Sequence, residues 1–183
     1  MHNGKVKKNI PKTTQVKATR PGERLFVDIS SMKNRSLGGS KFWALVVDNF
    51  SDCILGKFFS KKSDLSKNII PILKQLFVKG KEVKYIRCDN AGENKTLEKQ
   101  CIAEGLDITF EYTAPCSPQF NSRVERKFPT LYGKMRATFI HAGIRDADSK
   151  SYWCECANTL IKIENILIKS KDDKSTSKKI IKG

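Results

Sequence analysis

The chain has 183 residues and is 39% hydrophobic, enough for one domain with a buried core but not for two large ones. Its 35 Lys and Arg residues against 19 Asp and Glu leave a net charge of +16, which is typical of proteins that bind polyanions such as nucleic acid; a lysine-rich solvated surface is the simpler alternative. The absence of an apolar stretch of about 18 residues and of a secretory signal argues against a membrane or exported protein and predicts an intracellular one.

The first part of the chain is predicted to be a basic arm followed by a β-meander. Residues 1–24 carry seven basic residues and one acid with little apolar patterning, which indicates an extended arm. The β-rich segments LFVDIS, KFWALVVDNF and DCILGKFF follow, separated by a Gly/Ser loop and a tight NFSD turn. Three successive strands with such short connections predict an antiparallel meander.

Helices and strands are predicted to alternate after the meander. A helix capped by Ser63 or Asp64 is expected to run to about Lys79, with Pro71 bending or shortening it. The segment VKYIRCD is predicted to be the fourth strand and ITFEYT the fifth, with a short helix over 95–104 between them.

The last third of the chain is predicted to be helical. One helix should start at Asn121 or Ser122 and end near 141–143, and another should start at Asp148 or Ser149 and end near residue 169. The polar, lysine-rich residues 170–183 are expected to be disordered. This order of elements predicts an α/β domain with a mixed sheet flanked by helices.

Three carboxylates are the strongest functional signal: Asp28 in LFVDIS, Asp89 in VKYIRCDNAGEN, and Glu125 in SPQFNSRVER, with 35 residues between the second and third. If the first and fourth strands pair, Asp28 can neighbour Asp89, and the helix with Glu125 would lie over both. Converging carboxylates repel one another unless hard divalent cations neutralise them, which indicates Mg²⁺. Two such ions about 3.5–4 Å apart promote phosphoryl transfer on nucleic acid.

Each acid also has a simpler structural interpretation. Asp28 could be a strand-end acid bonded to a turn, Asp89 an Asx-turn residue, and Glu125 an exposed helix acid paired with a neighbouring basic residue. Asp48, which is equally flanked by apolar residues, is predicted to form a turn and to have no metal role.

The segments VDIS, DNAGEN and SPQFNSRVERKF, in this order and spacing, resemble the catalytic core of a retroelement integrase over about residues 21–169. The resemblance is closest to the copia-type (pseudoviral) branch of LTR retrotransposons, within the retroviral integrase superfamily. It implies a ribonuclease H-like fold with a five-stranded mixed sheet, strands 1–3 antiparallel, and an integrase core over residues 25–169. It also implies that Asp28, Asp89 and Glu125 bind two Mg²⁺ or Mn²⁺ ions and act in DNA-end processing and strand transfer.

The resemblance further implies contacts and partners. DNA and the edge of the site would be contacted by Asn90, Gly92, Glu93, Gln119, Asn121, Arg123, Arg126 and Lys127. The expected partners are element ends and target DNA, with a homo-oligomer when active, no membrane, and the nucleus as the place of integration. The opening GKVKKNIPK resembles the stretch that follows a His/Cys zinc-binding module in relatives, so we expect a fragment or a truncated element.

Two departures from the family pattern bear on activity. Ser122 stands where relatives usually have Gly, at the start of the helix that carries Glu125. Pro129 lies four residues after Glu125 and cannot donate the helical hydrogen bond to its carbonyl, which costs about 3 kcal/mol or kinks a helix interior. The alternatives are therefore an impaired or co-opted relative that only binds DNA and, less favoured, a ribonuclease H-like nuclease that cuts without joining.

Overall fold

The computed structural model describes residues 18–113 and 122–168. The elements in chain order are β1 (Arg24–Ser31), β2 (Phe42–Asp48), β3 (Ile54–Phe59), a 3-10 turn (Lys62–Asp64), α1 (Leu65–Val78), β4 (Tyr85–Asp89), α2 (Gly92–Ala103), β5 (Thr109–Thr113), α3 (Ser122–His141), α4 (Asp146–Ser149) and α5 (Trp153–Leu167). Most of the predicted arm and the whole predicted tail lie outside the described residues, while Arg24 already belongs to β1.

The five strands form one mixed sheet in the order β3-β2-β1-β4-β5. β1 pairs antiparallel with β2, and β2 with β3, which confirms the predicted meander. β4 pairs parallel with β1 and with β5. Because β1, β3, β4 and β5 all run in the same direction, their carboxyl ends meet at one edge of the sheet.

Each face of the sheet supports a separate apolar core, since side chains alternate between the faces along a strand. On one face, Leu25 and Val27 pack with residues of α1 and α2. On the other face, Phe26 packs with residues of α3 and α5. Asp28 follows this alternation onto the Phe26 face, which is the face covered by α3.

The helices on the first face differ from the prediction in two details. α1 runs uninterrupted through Pro71 to Val78, so the proline does not shorten it. α2 begins at Gly92 rather than Lys95, because Ala91 has an extended backbone and its carbonyl accepts the amides of the following turn. The polar GEN segment, which precedes the predicted helix over 95–104, is therefore the first turn of α2.

The predicted last helix is divided into two. The acids near residue 148 belong to the four-residue α4, and α5 starts later, at Trp153, whose side chain packs edge-on against Phe58 at a ring distance of 5.7 Å. Burial of this tryptophan fixes the start of α5.

Among residues 18–113 and 122–168, no helix is both long and apolar enough to cross a membrane.

α5 is fastened to the edge strand β3 through one amide side chain. Asn165 accepts a hydrogen bond from the Ile54 amide at 2.8 Å and donates one to the Ile54 carbonyl at 2.7 Å. Both groups are buried, so the side chain substitutes for a neighbouring strand.

The Asp48 carboxylate accepts hydrogen bonds from the Ser51 amide and hydroxyl, which confirms its predicted role as a turn former.

Candidate active site

The strand pairing places Asp28 beside Asp89. β1 and β4 pair in parallel with Arg24 opposite Tyr85, and the same offset carried to the end of β4 sets Asp28 level with Asp89. The buried residues Ile86 and Cys88 of β4 lie on the same face of the sheet as Leu25 and Val27 of β1. Because side chains alternate along each strand, Asp28 and Asp89 both lie on the opposite face, which α3 covers. The pairing on which the predicted site depended is present.

The charges of all three carboxylates meet at Asp28. Burial raises the pKa of Asp28 from 3.8 to about 6, because desolvation disfavours the charged form. The Ile29 amide, which donates a hydrogen bond to Oδ1 at 2.8 Å, opposes this rise. Repulsion by Asp89 and Glu125 raises the pKa further, and Lys62 lowers it. The fold therefore brings the three acids near one another although they come from three separate elements.

Asp89 is held by the first turn of α2. Nδ2 of Asn94 donates to Oδ1 of Asp89 at 2.6 Å, and the Ala91 amide approaches the same oxygen at 3.3 Å. The second contact is the Asx turn that formed the simpler interpretation of Asp89, and it leaves the carboxylate exposed at the sheet edge. Asn94 is only 2% exposed, so its orientation is set by the packing around it. Sequence reasoning missed Asn94, because the predicted helix began one residue after it.

Glu125 lies half-buried in the first turn of α3, which is docked on β1. Tyr132 is almost two helical turns further on, hence on the same side of α3, and its hydroxyl donates to Ser30 Oγ at 2.7 Å. Its ring also packs edge-on against Trp43 at 5.6 Å. These contacts fix the rotation of α3, so that the Glu125 side turns toward β1. Tyr132 carried no signal in the sequence beyond its seven-residue spacing from Glu125.

The basic residues around Glu125 lie on the other side of α3. Each residue advances about 100° around a helix, which turns Arg123, Arg126 and Lys127 away from the Glu125 side. All three line a separate cavity of about 360 Å³. Within it the Arg123 guanidinium donates to the Asn49 carbonyl at 2.9 Å and to Asp52 at 2.5 Å. The structure does not bring these residues to the carboxylates, and their contact with DNA stays a prediction.

The remaining predicted residues lie at the end of β4 or outside the described residues. Asn90 and Gly92 are exposed beside Asp89. The Glu93 carboxylate forms an ion pair with Lys62, a residue that sequence reasoning did not select. Gln119 and Asn121 belong to residues 114–121, which are not described.

The oxygen atoms of the three carboxylates suit a hard cation, although the side chains are not arranged around one. Within residues 18–113 and 122–168, no group of three or more His, Cys, Asp or Glu side chains is placed to hold a metal ion. Charge repulsion acts over longer distances than metal ligation, so the mutual effect on Asp28 and this finding are compatible. Oxygen-only ligands are those that Mg²⁺ prefers, and three anions without a cation repel one another.

Solved structures with the same fold include an intasome and an integrase catalytic core from retroviruses. A simian T-cell lymphotropic virus intasome in complex with PP2A regulatory subunit B56 gamma matches with a TM-score of 0.64 and 17% identity, over 86% of this chain and 53% of that one. The HTLV-2 integrase catalytic core domain in complex with magnesium, in a trimeric form, matches with a TM-score of 0.57 and 16% identity, over 87% of this chain and 96% of that one. The predicted ribonuclease H-like class of the fold is confirmed.

A sequence relative decides the family. No protein-family model matches the chain. Over 132 residues, however, it is 30% identical to the retrovirus-related Pol polyprotein from transposon TNT 1-94 of Nicotiana tabacum. The chain belongs to the integrase cores of LTR retrotransposons. The match includes 70% of this chain and 9% of the polyprotein, so the chain spans a small part of that relative's length.

Proposed function

We propose that this integrase core is a divalent-metal-dependent polynucleotidyl transferase that processes the ends of retroelement DNA and joins them to target DNA. The observation that carries the proposal is the parallel pairing of β1 with β4, which sets Asp28 level with Asp89 on the face of the sheet covered by α3, the helix of Glu125. Membership in the integrase family and the magnesium complex of the HTLV-2 core support it.

Asp28 and Asp89 each have a separate support within the site. Asp28 projects from the central strand of the sheet and is fixed by the Ile29 amide, and Asp89 is fixed by Asn94. These two acids and Glu125 would hold Mg²⁺ or Mn²⁺, which would activate the attacking water or 3′-hydroxyl and stabilise the leaving oxygen. The protein's own part is to aim the three carboxylates at the same point of the DNA backbone, and the bound cations would offset the cost of ionising Asp28.

DNA is the partner that the charge supports. A net charge of +16 provides the phosphate attraction on which non-specific DNA binding depends. The intasome and the trimeric core among the structural neighbours support DNA ends and further copies of the chain as partners. The proposal includes assembly into a homo-oligomer and action in the nucleus during the integration step.

A strand-transfer assay tests this function. Wild-type protein with Mg²⁺ or Mn²⁺ should nick and join labelled DNA ends, and Asp28→Asn, Asp89→Asn and Glu125→Gln should each reduce the rate by at least about a thousandfold. Asp107→Asn removes an exposed carboxylate before β5 and should leave the rate unchanged. Equal rates for wild type and Asp89→Asn would refute the catalytic role. Nicked products without joined products would instead indicate a nuclease.

A DNA-binding protein without turnover is the second candidate, and Pro129 is the observation in its favour. α3 starts at Ser122, so Pro129 lies beyond the first turn and the Glu125 carbonyl lacks its helical hydrogen bond. The backbone of Ser122 is helical, and serine adopts this conformation without strain. The position therefore does not require the glycine that relatives usually have. If Pro129→Ala joins DNA and the wild type only binds it, this candidate is correct.

A further inference from the structure

Lys62 is a cation that the fold places beside Asp28, Asp89 and Glu125, which together are called the carboxylate cluster below. It lies in the 3-10 turn after β3, and its ammonium pairs with the Glu93 carboxylate in the first turn of α2. β3 and β4 end at the same edge of the sheet, so this ion pair extends across the edge where Asp28 and Asp89 lie. Its charge reaches Asp28, since Lys62 lowers the pKa of that carboxyl.

The two members of this ion pair differ in their access to solvent. The Glu93 side chain is 16% exposed, whereas the Lys62 side chain is 50% exposed. The carboxylate is therefore covered and positioned, while the ammonium retains an open side. An ion pair at the surface contributes little stability, so stability alone does not account for its place beside three further acids.

We propose that Lys62, positioned by Glu93, binds a backbone phosphate of the DNA next to the carboxylate cluster and so aligns the strand for reaction. A lysine ammonium suits this role, because it is a compact point charge with several donors and contacts a phosphate without demanding a fixed plane. The inference rests on the proposed function for its substrate, DNA. It also gives acidic Glu93 a role as the holder of the cation, with no direct DNA contact.

The same helix pair supplies a matched control. Lys74 of α1 pairs with Glu104 after α2 at 2.6 Å, and the Lys74 side chain is also 50% exposed. Lys74 is twelve residues from Lys62, which places it about 18 Å along the helix direction. Lys62→Met and Lys74→Met therefore remove the same charge from equally exposed, ion-paired lysines, of which only the first borders the site.

The first measurement is the salt dependence of binding to a short fluorescent DNA duplex. All variants carry Asp89→Asn, so that DNA is not cleaved, at one fixed Mg²⁺ concentration. Lys62→Met should reduce the slope of log affinity against log salt by about 0.9, the value for one lost phosphate contact. Lys62→Arg and Glu93→Gln retain the cation and should retain the slope, and Lys74→Met should also retain it. An unchanged slope in Lys62→Met, or an equal loss in Lys74→Met, would overturn the proposal.

The second measurement separates this proposal from the proposed function. In an otherwise wild-type protein, Lys62→Met should raise the KM for DNA several-fold, and the factor by which it lowers kcat should be smaller. Lys62→Arg should partly restore the wild-type KM. Joining activity with no change in KM overturns the role of Lys62 and leaves the enzyme assignment intact. Absent joining activity together with the lost slope overturns the enzyme assignment and supports the phosphate contact. Absent DNA binding in every variant overturns both.

Discussion

Substitution of Asp28 by Asn is expected to stabilise the metal-free protein while abolishing its activity. The folded protein opposes ionisation of this carboxyl through burial and through repulsion by Asp89 and Glu125. Asparagine removes the negative charge and keeps an oxygen that can accept the 2.8 Å hydrogen bond from the Ile29 amide. The substitution therefore removes the cost of the charge and preserves the contact.

The magnitude follows from the pKa. A rise from 3.8 in the unfolded chain to about 6 in the folded protein destabilises the ionised form by up to about 3 kcal/mol, at about 1.4 kcal/mol for each tenfold change in proton affinity. The folded state binds more protons than the unfolded state between these two values, so wild-type stability falls as pH rises from about 4 to about 6. Above about pH 6 this loss of stability is complete, and below about pH 4 it is absent.

Urea unfolding in EDTA, followed by the fluorescence of the buried Trp43 and Trp153, measures this effect. Asp28→Asn should exceed the wild type in unfolding free energy by up to about 3 kcal/mol above about pH 7. The two proteins should converge as the pH approaches about 4. A less stable Asp28→Asn at neutral pH, or a difference that does not change with pH, would show that Asp28 is not subject to this repulsion.

Three further substitutions test the supports of the site. Asn165→Leu should lower the unfolding free energy by about 2–5 kcal/mol in urea titrations, because the buried amide and carbonyl of Ile54 both lose their partner. Asn94→Ala should lower kcat/KM for DNA joining at least about tenfold with a smaller effect on stability, because it releases the Asp89 carboxylate. Pro129→Ala should raise the unfolding free energy by about 1–3 kcal/mol in the same titrations, because it restores a hydrogen bond in the interior of α3.

Each of these substitutions has a control and a contradicting result. Asn158→Ala changes an exposed amide on the same helix as Asn165 and should have little effect on unfolding; equal losses for both would deny the special role of Asn165. An Asn94→Ala protein with full activity would show that Asp89 needs no support from α2. A Pro129→Ala protein that is less stable than the wild type would show that α3 already compensates for the missing hydrogen bond.

The strands of the sheet could be predicted because the signals of each strand are local, whereas the pairing of β1 with β4 was a condition of the predicted site. Strands of alternating apolar residues with short connections specify the meander, and the parallel pairing of β1 with β4 then brings Asp28 to Asp89. The helical register around Glu125 contains further information that was available from the sequence. At about 100° per residue, Arg123 and Lys127 could already be assigned to the side of α3 opposite Glu125.

The contacts that orient the site depend on segments far apart in the chain, which explains why they could not be predicted. The Lys62–Glu93 pair joins the turn after β3 to α2, and the Tyr132 hydroxyl reaches Ser30 on β1. Neither pairing has a spacing or a motif of its own. Asn94 was missed for a different reason, since a polar GEN segment fits a turn as well as the first turn of a helix.

Anomalous diffraction from crystals soaked in Mn²⁺ tests most directly whether the three carboxylates act as one metal site. Manganese should appear between Asp28, Asp89 and Glu125, with metal–oxygen distances of about 2.0–2.3 Å, and Asp89→Asn crystals should lose most of that density. Manganese at other positions only, or equal density in Asp89→Asn crystals, would show that these carboxylates do not form a common site for divalent ions.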